Sequence, residues 1–114
     1  MAQPEDSEEA RPWREGDGAR PTVWTWPLTD PPALWVRRNG GWRLAAVAAR
    51  QDWSDSRTAY QVLIDTDGTT SKSHRTFWWP HEGLRFAHRS AAEPTTEAGR
   101  GGEPPRPPRR VKLA

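Results

Sequence analysis

Short runs in the middle of the chain alternate apolar and polar side chains with a period of two. In the clearest run, residues 60–65, the side chains of Tyr60, Val62 and Ile64 fall on one phase. This period is typical of β-strands, whose side chains point alternately to the two faces of a sheet. Turn residues such as Asn39-Gly40 separate the runs. The pattern therefore predicts five strands: 33–38, 42–50, 60–65, 70–79 and 84–87.

The second run, residues 42–50, is ambiguous because it is rich in alanine, the residue with the highest helix propensity. We predict a strand for two reasons. Gly40-Gly41 offers no good helix N-cap, and turn signals bound the run on both sides.

Five short strands joined by short turns within residues 33–89 indicate an all-β fold, a small five-stranded SH3-like barrel. Strand phase divides the side chains into an inner and an outer set. The inner set comprises Leu34, Val36, Ala45, Val47, Tyr60, Val62, Ile64, Phe77, Trp79, Leu84 and Phe86. The outer set still contains Trp35, Trp42, Leu44, Leu63 and Trp78, which is more large apolar groups than an outer face normally leaves in water.

A short motif supports the same architecture. Gly41-Trp42 is followed by Ala45 and Val47, and residues 60–65 are followed by the turn Asp67-Gly68. This spacing resembles the Tudor-type SH3-like barrel domain, whose second strand often reads G-x-W-x-x-A-x-V. The resemblance covers residues 33–88 and implies a ligand-binding barrel that takes modified peptides, RNA or DNA. An aromatic cage of the Tudor kind would draw on Trp42, Trp53 and Tyr60.

Charge divides the 114-residue chain into three parts. Residues 1–32 carry a net charge of −4, residues 33–89 carry +4 and residues 90–114 carry +2. We predict a disordered acidic tail over 1–20 and a disordered tail rich in proline and arginine over 90–114. Between the first tail and the barrel, residues 21–32 form a flanking segment. Its Trp24 and Trp26 could pack on the barrel as a lid over the exposed aromatic side chains. For Trp35 we prefer this lid to a binding surface.

Composition also limits the chemistry. The chain has no cysteine, its mean hydropathy is −1.00 and its first residues lack the apolar core of a signal peptide. We therefore expect a cytoplasmic protein. His74, His81 and His88 lack metal-ligand spacing, so we predict no metal and no cofactor. No motif of nucleophilic catalysis is present, and we predict that the protein is not an enzyme.

The outer face carries the functional prediction. If Trp79 points into the core, Trp78 points outward beside His74 and Lys72. A tryptophan among cations can stack on a base while the cations hold its phosphate, so we predict weak binding of nucleic acid, preferably single-stranded. The candidate binding residues are Trp42, Trp78, Lys72, His74, Arg43, Arg75, Trp53 and Tyr60.

Two other functions stay open. The exposed tryptophans could instead take a peptide or partner subunit, which would make the protein an interaction adaptor. The chain could also be a very small enzyme that is active only as an oligomer. The sequence does not fix the oligomeric state.

Overall fold

The computed structural model describes residues 3–65 and 71–96. Over these residues the fold is all-β and contains no helix, which confirms the predicted class. The sheet is antiparallel and has seven strands in the described part of the chain. The strands are β1 (Thr22–Thr25), β2 (Ala33–Arg38), β3 (Gly41–Asp52), β4 (Thr58–Ile64), β5 (Ser73–Trp79), β6 (Leu84–His88) and β7 (Thr95–Thr96).

The long strand β3 organises the sheet. Its first half pairs with β2, which in turn pairs with β6, and its last residues pair with β1, which pairs with β7. Along its other edge β3 pairs with β4, and β4 pairs with β5. The strand prediction for 42–50 is therefore confirmed. Two short strands, β1 and β7, were not predicted, and the ladders of the described residues do not close the sheet into the expected five-stranded barrel.

The turn between β2 and β3 follows from its sequence. Asn39 has φ 53° and Gly40 has φ 78°, and Arg38 pairs directly with Gly41. Two consecutive positive φ angles are what a type I′ hairpin turn requires, and Asn-Gly is the dipeptide that adopts them most readily. The predicted turn at Asp67-Gly68 lies outside the described residues.

The side chains of the buried core cluster are ones that strand phase placed inside. Phe77, Leu34, Val36 and Val62 are fully buried, and the partly buried rings of Trp79 and Phe86 pack against this core. Trp26 joins them from the segment before β2. The full buried cluster is Leu34, Val36, Ala45, Val47, Tyr60, Val62, Ile64, Phe77 and Leu84.

Residues 5–10, here called the N-terminal segment, lie against the sheet. The Ala10 N–H donates to Thr76 at 2.8 Å, and the Trp78 N–H donates to Glu8 at 2.9 Å, so the segment runs along the free edge of β5. On its other side, the Ser7 N–H donates to Arg37 of β2 at 3.0 Å. The composition of residues 1–20 predicts a disordered tail, which stays a prediction. The contacts of residues 5–10 have a physical reason, since the segment satisfies backbone groups that β5 would otherwise leave unpaired.

The flanking segment 21–32 contains β1 and reaches the core rather than the outer face. Trp26 packs on the core cluster, and the Trp24 indole N–H donates to the carboxylate of Asp52 at 3.0 Å. Trp35, for which we expected a lid, stays exposed over 41% of its surface. None of the described residues forms a helix long and apolar enough to cross a membrane.

Candidate functional site

The outer face of the sheet exposes a cluster of large apolar side chains, called here the outer patch: Trp35, Trp42, Leu44 and Leu63. Trp35 lies directly opposite Leu44 across the β2–β3 ladder, and Ala46, one step along β3 on the same face, pairs with Leu63. Leu44 is 57% exposed and Leu63 is 37% exposed, while Trp42 is half-buried. Register alone therefore makes the patch continuous.

Cations surround the outer patch. The guanidinium of Arg85 lies 4.6 Å from the centre of the Trp42 ring, and that of Arg37 lies 5.6 Å from it. Trp35, Trp42 and Arg85 line a shallow depression of about 280 Å³. His74, which pairs with Leu63, is exposed, as is Lys72 just before β5. The patch thus offers apolar contact with positive charge at its margin.

The structure places Trp78 and Trp53 far from this patch. Trp78 pairs with Ala59, and Ala59 pairs with Gln51 of β3. Gln51 lies nine residues along β3 from Trp42. That length of strand measures about 30 Å. The Trp78 and Trp53 rings contact each other at 5.4 Å, and the guanidinium of Arg57 stacks on Trp78 at 3.9 Å. Trp42 and Trp78 therefore do not share one binding surface.

The other three predicted residues point away from the outer face. Tyr60 is buried, and its ring packs edge-on against Trp79 and Phe86 at 5.7 Å each. Burial raises the pKa of the Tyr60 hydroxyl. Arg75 forms an ion pair of 3.1 Å with Glu9 of the N-terminal segment.

Arg43 follows the core phase, and its Nε atom is buried without a hydrogen-bond partner in the described residues. The eight candidates therefore fall into three places. Trp42, Lys72 and His74 lie in the outer patch or at its margin. Trp53 and Trp78 lie near the other end of β3. Tyr60, Arg43 and Arg75 lie on the inner phase of their strands.

The ligand-binding candidates predicted from the sequence left out three residues of the outer patch, Trp35, Leu44 and Leu63, and Arg85 at its margin. Trp35 and Arg85 lie on the same phase as Trp42, but only the pairing of β2 with both β3 and β6 brings them together. It also missed a second cavity, of about 290 Å³, where Trp26, Tyr60 and Phe86 meet Arg50 and Arg89. A β-bulge between Val47 and Ala49 changes the phase of β3 before Arg50, and no sequence signal marks that bulge.

In residues 3–65 and 71–96, histidine and carboxylate side chains form no group that could hold a metal ion. The carboxylates with lowered pKa are engaged at the surface. The pKa of Asp17, for example, falls to about 2, chiefly because it accepts hydrogen bonds from the Arg11 guanidinium at 2.8 Å.

The comparisons with known proteins add no relative. No protein family, curated protein or solved structure matches the chain. The proposals below therefore rest on the geometry of the two cavities and of the surfaces around them.

Proposed function

We propose that this protein is a small, non-enzymatic binding module that holds a partner protein against its outer patch. The observation that carries the proposal is the continuous apolar surface of Trp35, Leu44 and Leu63, three large side chains exposed on adjacent strands. Contiguous exposed apolar patches are characteristic of interaction sites. Two of the three exposed side chains are leucines, which offer a partner apolar contact but cannot stack on a base.

Charge at the margin favours an acidic partner segment. Arg85, Lys72 and His74 are exposed around the patch, and within the described residues no carboxylate forms an ion pair with Arg85 or Lys72. A partner that sets acidic side chains around an apolar centre would complement this arrangement. We therefore propose a segment that interleaves glutamate or aspartate with leucine or an aromatic residue.

Single-stranded nucleic acid is the second candidate. The depression is lined by the rings of Trp35 and Trp42 and by Arg85, and such groups are used to stack a base and to hold its phosphate. The charge of the described residues supports this candidate less. They contain 12 Arg and Lys side chains and 12 Asp and Glu side chains, so the described residues as a whole carry no excess of positive charge.

The test uses three probes on the full chain: a peptide that alternates Glu with Leu and Phe, its counterpart with Lys in place of Glu, and an oligothymidylate. We expect the Glu peptide alone to shift the indole NMR signals of Trp35 and Trp42 saturably. Leu44→Ser should weaken its binding about tenfold, since burying one leucine contributes about 1.5–3 kcal/mol. Leu28→Ser is the matched control, because Leu28 is 95% exposed and lies outside the patch.

The outcomes separate the two candidates. If the oligothymidylate binds and the Glu peptide does not, the nucleic-acid candidate replaces the protein partner. If Leu28→Ser weakens peptide binding as much as Leu44→Ser does, the outer patch is not the site.

A further inference from the structure

The cavity of about 290 Å³ lies on the other phase of the sheet from the outer patch, where inner side chains of β3, β4 and β6 meet the loop after β6. Trp26, Tyr60 and Phe86 supply aromatic walls. Residues 90–94 line one side. The volume is close to the lower end of the range for small-molecule sites.

Two arginines give this cavity its charge. The Arg89 guanidinium lies over the Phe86 ring, 4.0 Å from its centre, and forms no ion pair with any described residue. Arg50 contacts Asp52 at 3.2 Å through one terminal nitrogen, while its buried Nε has no hydrogen-bond partner among the described residues. A buried donor without a partner costs free energy, so an acceptor that reaches Arg50 would be favoured.

The acids near the cavity cancel this charge only in part, because Asp52 pairs with Arg50. Glu93 is the acid that lines the cavity, and it is exposed to solvent. Asp30 is close in the fold, but its carboxylate already accepts hydrogen bonds from the loop that follows β6. Among the described residues, the Arg89 guanidinium is therefore left without a carboxylate partner.

This charge excludes the ligand that an aromatic cage of the Tudor kind would take. A cage binds a cation on open ring faces. Here Tyr60, Trp79 and Phe86 pack edge-on against one another at 5.1–5.7 Å, and Arg89 covers a face of Phe86. A methylated ammonium group would meet two like charges at this position.

We propose that the cavity binds a small organic anion, a carboxylate or phosphate group joined to an apolar ring. The anionic group lies between Arg50 and Arg89, where guanidinium donors hold such groups in bidentate geometry. The ring lies against Trp26 and Tyr60. This site is separate from the outer patch and goes beyond the partner binding proposed there.

The experiment is an NMR titration of the full chain with four probes: benzoate, phenyl phosphate, inorganic phosphate and benzylamine. Benzylamine has the ring but the opposite charge, and inorganic phosphate has the charge but no ring. We expect saturable shifts of the Trp26 indole and of the Arg89 and Ala91 amides with benzoate or phenyl phosphate. Comparison of these two probes shows which anionic group the site prefers. Benzylamine should cause no shifts at these positions, and inorganic phosphate should bind more weakly than phenyl phosphate.

The variants locate the charge contact. Arg89→Gln should weaken binding of the better probe about tenfold or more, which is the factor expected when one charge-assisted hydrogen bond is removed. Arg57→Gln is the matched control, because Arg57 also stacks on an aromatic ring, that of Trp78, but lies outside the cavity. Binding by Arg50→Gln is interpreted only if the NMR spectrum of this variant shows that it is folded. Arg50 also lies over the Trp24 ring at 5.4 Å, so its replacement could unfold the site.

Three results would overturn the proposal. The first is equal binding of benzylamine and benzoate. The second is unchanged binding in a folded Arg89→Gln variant. The third is a titration in which the shifts appear at Trp35 and Trp42 instead of Trp26, which would move the anion to the outer patch and leave the partner proposal to its own test.

Discussion

Asp30 shows how one carboxylate can tie together distant parts of the chain. It precedes β2, yet it contacts the His88 ring nitrogen at 2.8 Å and accepts hydrogen bonds from the Ser90 hydroxyl at 3.2 Å and the Ala91 N–H at 2.7 Å. The hydrogen bond with His88, followed by that from Ala91, lowers the pKa of Asp30 from its ordinary value of 3.8. Residues 90 and 91, which line the cavity of about 290 Å³, are therefore held by a carboxylate that becomes protonated in acid.

We expect Asp30→Asn to lower the free energy of unfolding at pH 7 and to flatten its decline in acid. A carboxylate whose folded-state pKa is depressed contributes stability above its unfolded-state pKa, and this contribution disappears as the pH falls through the folded-state value. The difference between wild type and variant should therefore shrink below about pH 4. Urea unfolding at pH 7 and in steps down to about pH 2 measures it.

Glu15→Gln is the control for Asp30→Asn, because it removes an exposed carboxylate from the residues before β1. If Asp30→Asn and wild type lose stability in parallel as the pH falls, the hydrogen bonds of Asp30 do not contribute in solution as they do in the structure.

At the scale of elements, the contact between the N-terminal segment and Gly83 is the most constrained. A Cβ atom added at Gly83 would lie 2.5 Å from the Ser7 nitrogen and 2.6 Å from the Glu5 carbonyl oxygen. Both are backbone atoms, so no side chain can rotate away to make room. The absence of a side chain at residue 83 is what lets the segment pass between β5 and β2.

We expect Gly83→Ala to displace the N-terminal segment and to lower the free energy of unfolding by about 1–3 kcal/mol, the usual cost of overpacking. Amide exchange should quicken at Ala10 and Trp78, whose N–H groups bond between the segment and β5. In a chain that lacks residues 1–10, the same substitution should have almost no effect, because the atoms it meets are gone.

Gly41→Ala is the matched control, since a Cβ at that position meets only the Arg38 carbonyl oxygen at 3.9 Å. Equal destabilisation by Gly83→Ala in the full and the truncated chain would show that residue 83 acts on something other than the segment.

The strands differ in how far their sequences could predict them. Alternation of large apolar side chains marks β2, β4 and β5, and the Asn39-Gly40 turn fixes the register of β2 against β3. Residues 5–10 carry four carboxylates and no large apolar group, so nothing local indicates strand-like pairing. Their place depends on the free edge of β5, which exists only once the sheet has formed. The site shows the same division: phase put Trp42 outside, but tertiary pairing decided which residues lie beside it.

For the whole molecule, the distribution of charge bears most on function. The described residues contain equal numbers of acidic and basic side chains. Four of the acids belong to the N-terminal segment, which lies against the sheet and pairs Glu9 with Arg75. The positive excess lies in residues 97–114, which contain five Arg and Lys side chains and two glutamates. Any sequence-independent attraction to nucleic acid should therefore depend on those residues.

We expect replacement of the five cations in 97–114 by glutamine to abolish most of the salt-dependent affinity of the chain for an oligothymidylate. The slope of log affinity against log salt should fall by about 0.7 for each phosphate that the variant no longer neutralises. Fluorescence anisotropy at several salt concentrations measures this slope. The comparison is a variant with glutamine at Lys72 and Arg85, two cations at the margin of the outer patch. If its slope falls by more than that of the first variant, the sheet and not residues 97–114 makes the phosphate contacts.

The N-terminal segment also bears on how the chain folds during synthesis. Glu9 is made 66 residues before its partner Arg75, and the Glu5 N–H donates to Glu82 across 77 residues. The contacts of the segment with β5 can therefore form only after nearly all of the sheet has left the ribosome, although its partner Arg37 in β2 is made earlier. Contacts between residues so distant in sequence form late because the loop-closure entropy must be overcome first. Four clustered carboxylates favour this late pairing. Their charge keeps the unpaired segment hydrated, and it opposes association with other chains until β5 has formed.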